Sequence, residues 1–183
     1  MIVIVFAIFS SDSTVKQYSF DGKNWNTYVF GVEVTENCTV YFRAADSLNN
    51  YSEIAECHVT NIDRTPPERP EVIVDIAGKT NSDITVAVQF DQESVRKEYS
   101  PDNCTWLQYT DPLVISDNCE LWFRSADAAG NVSETTHYVI DNIDRIPPAS
   151  PKVTADITTL TAGAVALTAT FDKDAALKEY SMD

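Results

Sequence analysis

One spacing constrains this chain more than any other feature: adding 81 to a residue number returns the same residue at position after position. Phe9, Phe90 and Phe171 fall in register, as do Tyr18, Tyr99 and Tyr180. The same offset carries Trp25 to Trp106, Tyr28 to Tyr109, Cys38 to Cys119, Phe42-Arg43 to Phe123-Arg124, Asp46 to Asp127 and Ser52-Glu53 to Ser133-Glu134. It also carries Asn61-Ile62-Asp63-Arg64 to Asn142-Ile143-Asp144-Arg145, and each run leads into a double proline, Pro66-Pro67 and Pro147-Pro148. No gap is needed. A period of domain size predicts beads on a string rather than a solenoid of small turns.

The phase of the repeat divides the 183 residues into 1–67, 68–148 and 149–183. Only the middle unit is complete. The first opens opposite Ser82 and lacks a leading strand; the third stops opposite Asp102, inside a turn, so the sequence reads as part of a longer polypeptide. The opening run MIVIVFAIF has no basic region before it and no small-residue cleavage site after it. It aligns with DITVAVQF and AVALTATF, which alternate as half-buried strands do, and is read as an internal strand. No other stretch approaches the ~20 apolar residues of a membrane span.

Within the complete unit, Val72, Val74 and Ile76 alternate with polar residues, and Ile84, Val86, Val88 and Phe90 do so again. Val95 to Ser100 predicts a third strand, and Pro101-Asp102-Asn103 is turn chemistry before a fourth around Thr105 to Tyr109. Asp111-Pro112 starts a fifth through Ile115. Asp117-Asn118 turns the chain into the longest strand, Cys119 to Ala126, with Leu121 and Phe123 inward and Trp122 and Arg124 outward. Ala128-Ala129-Gly130-Asn131 closes a hairpin onto Val132 to Ile143. No segment holds a helical period. Seven short strands in about 80 residues predict an all-β fold, a Greek-key β-sandwich of immunoglobulin or fibronectin type III kind, with an isolated barrel as the alternative. The third copy has too few strands to close a sandwich.

The run KEYSPDNCTWLQYTDPLVISDNCELWFRSADAAGNVSE followed by NIDRIPP resembles the bacterial Ig-like tandem repeats of large surface and secreted adhesin-like proteins. The resemblance covers nearly the whole chain. It departs from that pattern at Cys38 and Cys119, where a turn glycine is common, and at Ser47 to Asn50, where SLNN stands for AAGN. It implies an extracellular or cell-surface location, and as partners the neighbouring repeats and a host or cell-surface protein or glycan.

Charge narrows the partners further. With 28 acidic residues against 13 basic ones and a net charge of −15, the chain is a poor match for nucleic acid or anionic membranes and a good one for divalent cations. The two histidines, His58 and His137, align with Val139 and Glu56 and so belong to single copies. No nucleophile elbow, phosphate loop, HExxH or CxxC occurs, and no enzymatic activity is expected. Cys57 and Cys104 are also private to single copies. A hairpin folding around Ser47 to Asn49 would set Cys57 on the face opposite Cys38 unless a bulge intervenes, so disulfides Cys38–Cys57 and Cys104–Cys119 stay open.

The recurring aromatics, Tyr18/Tyr99, Trp25/Trp106 and Tyr28/Tyr109, are expected to pack between the sheets; the alternative is an exposed platform for sugar rings. A hairpin centred on Ala129 would set Arg124 opposite Glu134, and Arg43 opposite Glu53, as cross-strand ion pairs.

The junction between units concentrates the remaining chemistry. The topology brings Asp63 of the linker near Asp91 and the loop from Asp127 to Asn131, and Asp144 near Asp172 and Asp174. Hard oxygen ligands at one interface suit calcium, which takes about 6 to 8 of them. The competing expectation is that Asp63 caps a turn before the prolines and Asp127 bonds its own loop. Each proline fixes φ and extends its predecessor, so the linker resists collapse, and strands at ~3.3 Å per residue make each unit on the order of 30 Å long. The expected function is a non-enzymatic structural and adhesive array, a calcium-stiffened stalk. The alternative is an accessory spacer or carbohydrate-binding region of a secreted polysaccharide-degrading enzyme.

Overall fold

The computed structural model describes residues 2–182, and among them every regular element is a strand. The first six are β1 (Val3–Val5), β2 (Val15–Ser19), β3 (Asn26–Thr27), β4 (Val32–Val34), β5 (Cys38–Ala45) and β6 (Ala55–Val59). Seven follow: β7 (Glu71–Val74), β8 (Ile84–Gln89), β9 (Arg96–Ser100), β10 (Leu107–Gln108), β11 (Leu113–Ile115), β12 (Cys119–Ala126) and β13 (Thr136–Ile140). The last two are β14 (Lys152–Ala155) and β15 (Leu167–Thr170). β2 to β6 fall on β9 to β13 at an offset of 81, residue for residue, and β7 falls on β14 in the same way.

The strands of the complete set form a four-stranded antiparallel sheet, β10-β9-β12-β13, and a three-stranded one, β11-β8-β7. Their inner faces share one core. Ile84 and Val86 from the smaller sheet meet Leu121, Phe123 and Ile140 from the larger, all below 5% exposed, with Ile143 at the rim. Alternation puts them there, since period-2 side chains send Leu121 and Phe123 to the same face of β12. The first set repeats the arrangement with β3-β2-β5-β6 and a two-stranded β1-β4 around Val5, Val32, Val34, Val40, Phe42 and Val59. The third section is a β14-β15 hairpin with every residue of β15 exposed. Residues 177–181, which correspond to β9, are not a strand, whereas β9 itself is held between β10 and β12.

Left-handed turn positions explain the tolerated departures in sequence. Gly130 (φ 90°) and Asn49 (φ 65°) occupy the same place in the two long hairpins, and Gly22 (φ 68°) matches Asn103 (φ 57°). Asparagine is the residue that best replaces glycine in that region, so SLNN turns the chain as AAGN does.

The same hairpins hold a feature that sequence spacing did not show. Near the turn, Ala126 bridges Val132 and Ser133 N donates to Ser125 O, but from Phe123 opposite Thr136 onward the register has shifted by one. Glu134 and Thr135 therefore stand together against Arg124, a β-bulge, and the expected Arg124–Glu134 pair does not form. Arg124 instead lies opposite Glu98 on β9 and bonds its carboxylate at 2.8 Å. Arg43 likewise turns from Glu53 and donates to Gln17 at 2.9 Å. The bulge in the first hairpin sets Cys57 opposite Val40 and Cys38 opposite Val59, so both sulfurs face the core, and all four cysteines are free thiols.

Candidate functional site: the proline-locked junction

The linker between the two sandwiches is gripped from both sides. At its start, Asn37, in the turn before β5, holds Ile62 by both backbone groups: its amide donates to Ile62 O and its Oδ1 accepts from Ile62 N, each at 2.9 Å. Asn118 holds Ile143 identically, with both contacts at 3.0 Å. One residue further on, Asn131 of the second sandwich donates to Asp63 O at 3.2 Å, and its amide also lies 3.4 Å from Thr65 O. Asn131 is itself fixed, since Asp127 accepts from its backbone N–H and from its side-chain amide, both at 2.8 Å.

The prolines complete the seat. Pro67 and Pro70 are buried, Thr136 donates to Pro70 O, and Arg69 Nε donates to Thr136 at 3.2 Å. Asp91 accepts from Glu68 N at 3.0 Å and from Glu93 N at 2.9 Å. Beyond the second sandwich, Thr80 exchanges backbone bonds with Asn142 and Asp144, and Arg145 pairs with Asp83.

The carboxylates expected to gather around a cation are each engaged locally. Asp63 Oδ1 accepts from Thr65 N at 3.0 Å and Asp144 Oδ1 from Ile146 N at 3.1 Å, turn caps of the kind that precede a proline. Hydrogen bonds from the Glu93 and Glu68 backbones hold the Asp91 carboxyl below its ordinary range. Burial pushes Asp127 upward, but the bonds from Asn131 outweigh it and the net direction is down. Asp172 and Asp174 share a hydrogen bond that lowers the first and raises the second, and Asp172 also accepts from Ala149 N at 3.3 Å. Among the described residues no group of three or more His, Cys, Asp and Glu side chains is placed to hold a metal ion together.

The recurring aromatics divide between two places. Tyr28 and Tyr109 lie between the sheets, tilted on Phe9 and Phe90 at 5.1 and 5.3 Å and edge-on to Phe42 and Phe123 at 6.0 and 6.2 Å. Their hydroxyls accept from Ala7 N at 3.1 Å and Val88 N at 3.0 Å. Trp25 and Trp106 do not pack between the sheets. They lie half-buried on the outer face, where the guanidinium of Arg43 stacks 4.1 Å over one and that of Arg124 3.8 Å over the other. Trp25 and Trp106 stand three residues before Tyr28 and Tyr109, so the alternation that turns the tyrosines inward turns the tryptophans outward, and cation–π contact takes the place of core packing.

His58 and His137 sit on the outer surface as well. His137 stacks on Trp122 at 4.6 Å and meets Glu120 at 2.8 Å, while His58 contacts Thr39 at 2.9 Å.

Sequence reasoning found the linker but missed its clasps. Asn37 and Asn118 recur at the same offset, each 25 residues before the isoleucine it holds, which is the only trace they leave in the sequence. Among the described residues no helix is long and apolar enough to cross a membrane. No protein-family model matches the chain, and no curated protein matches it.

Proposed function

We propose that this chain is a stretch of tandem Ig-like units, one complete over 68–148 and partial copies over 1–67 and 149–183, that serves as a non-enzymatic structural and adhesive array in the stalk of a bacterial surface protein. The observation that carries this reading is the lack of slack at the junction. Ile62 is bonded to the first sandwich and the very next residue, Asp63, to the second. A spacer works only if its joints transmit distance, and a linker held at adjacent residues does so.

Asn131→Ala should leave both sandwiches folded and loosen the angle between them. The check is NMR alignment of the two sandwiches: one shared alignment tensor is expected for the native chain and two diverging tensors for the variant. Independent tensors in the native chain would remove the stalk reading.

Calcium stiffening belongs to the same proposal. The cation would take the Asp127 carboxylate and the carbonyls of Asp63 and Thr65 in place of the Asn131 amide, with Asp91 on the same side of the seat. At the following junction it would relieve the paired Asp172 and Asp174 carboxyls beside Asp144. Calorimetry is expected to show calcium heat in the ~10⁻⁴ to 10⁻³ M range typical of extracellular modules, lost in Asp127→Ala. No heat would leave a stalk held by hydrogen bonds alone.

One observation favours the second reading, a carbohydrate-binding spacer of a secreted enzyme: Trp25 and Trp106 lie on the outside. Arginine already covers one face of each ring, so the stalk is preferred. A glycan array should give no signal that depends on Trp106; binding abolished by Trp106→Ala would reverse the preference.

A further inference from the structure

The second sandwich ties its outgoing chain to the loop that follows its first strand. Beyond β13 the chain leaves through Asn142, Ile143, Asp144 and Arg145, and these residues meet the loop 76–83 between β7 and β8. Thr80 and Ile143 form a parallel bridge, with Thr80 N donating to Asn142 O at 2.9 Å and Asp144 N to Thr80 O at 2.7 Å. The Asn142 amide donates to Gly78 O at 2.7 Å and lies 3.3 Å from Ile76 O, and Arg145 pairs with Asp83. From the other side Asn118 takes both backbone groups of Ile143.

The loop is itself braced. Asp75 and Thr85 close its base, with Asp75 N donating to Thr85 O at 3.3 Å and Thr85 N to the Asp75 carboxylate at 2.8 Å. Inside it, Thr80 Oγ1 accepts from Ser82 N at 3.0 Å. The same bonds recur 81 residues on, between Asp156 and Ala166 and between Thr161 and Gly163. Asn142 and Arg145 have their own counterparts in Asn61 and Arg64. Both sides of the contact therefore belong to the repeated unit.

Their direction decides what they do. β7 begins one residue after Pro70, where the incoming linker is seated, and leads to this loop, whereas Asn142 to Arg145 lead to the outgoing linker. Tension along the chain draws Thr80 one way and Ile143 the other. Because the two segments run parallel, the bonds between them cross the pull and are strained together. A strand peeled from one end would give up its bonds singly.

We propose that residues 142–145 and the loop 76–83 form a shear clamp that sets how long the second sandwich survives under tension. This rests on the stalk reading for the tension itself, yet the two can fail separately, since NMR alignment reads the joint and applied force reads the clamp.

The test is unfolding at constant force of the full chain, tethered through its two ends. The step of the second sandwich is the longer one, since more residues lie between Pro70 and Arg145 than between Val3 and Ile62. Asn142→Ala should shorten the lifetime of that sandwich at fixed force about tenfold or more, the effect of taking two bonds from the barrier. Tyr109→Phe removes a bond of the same unit that tension does not shear, and should leave the lifetime within about twofold while lowering stability in denaturant. Should Asn142→Ala fail to fold, Arg145→Ala carries the same comparison, because Arg145 is exposed and its loss leaves the core intact. A clamp variant with the native lifetime, or a Tyr109→Phe chain shortened as much as the clamp variant, would overturn the proposal.

Discussion

Phe123→Ala should lower the stability of the second sandwich by about 3 to 5 kcal/mol and leave the first nearly untouched. Phe123 has no exposed surface, sits at the centre of β12 and is the ring against which Tyr109 packs edge-on. Its loss opens a cavity between two sheets whose other core residues are fixed by strand register and cannot close over it. The effect is local because the two cores share no residue. Denaturant unfolding followed by tryptophan fluorescence separates them, since Trp25 reports the first sandwich and Trp106 and Trp122 the second. The native chain and the variant should keep the Trp25 transition in common, and only the second transition should move. A single shifted transition would show that the sandwiches unfold as one unit.

The next largest effect is expected from one oxygen atom. Tyr109→Phe should cost about 1 to 3 kcal/mol, the scale of leaving a half-buried backbone donor without its acceptor. Val88 needs that acceptor because β11 pairs with β8 only as far as Val86, and the tyrosine hydroxyl takes the Val88 N–H beyond that point. Tyr28→Phe should do the same to Ala7 in the first sandwich, so the pair of variants measures one interaction twice. Equal destabilisation in both transitions would establish the hydroxyl as a fixed part of the unit. No change in either would mean that water replaces it.

Most of the fold was legible in the sequence because its signals are local. Strand alternation, the Asn and Gly turn positions and the double prolines each act over a few residues, and the repeat allowed every reading to be made twice. The inward setting of Leu121 and Phe123 follows from period-2 geometry alone. What could not be read was anything that depends on register. The bulge at Glu134 and Thr135 adds one residue to the count across the hairpin, and that sent Arg124 to Glu98 and turned Cys57 inward. The tryptophans were misplaced for a simpler reason: ring size suggests a core, but the odd spacing from Tyr28 and Tyr109 decides which face the ring reaches.

The candidate site divides in the same way. The acidic, proline-bearing character of the junction is written in NID-R-x-P-P, and Asp63 as a turn cap was foreseen from its place before the prolines. The two asparagine clasps were not, because Asn37 acts on a residue 25 positions away and Asn131 on one 68 positions before it. Polar contacts over such separations carry no periodic signal.

By itself, then, the sequence determined the unit, its length, its all-β character, its core faces and the place where one unit meets the next. These follow from steric and hydrophobic preferences that act between near neighbours and repeat with the chain. The tertiary structure alone decided which charges pair, which way the cysteines face and what holds the linker. Each of these depends on how distant segments align in space, and a shift of one residue changes the answer.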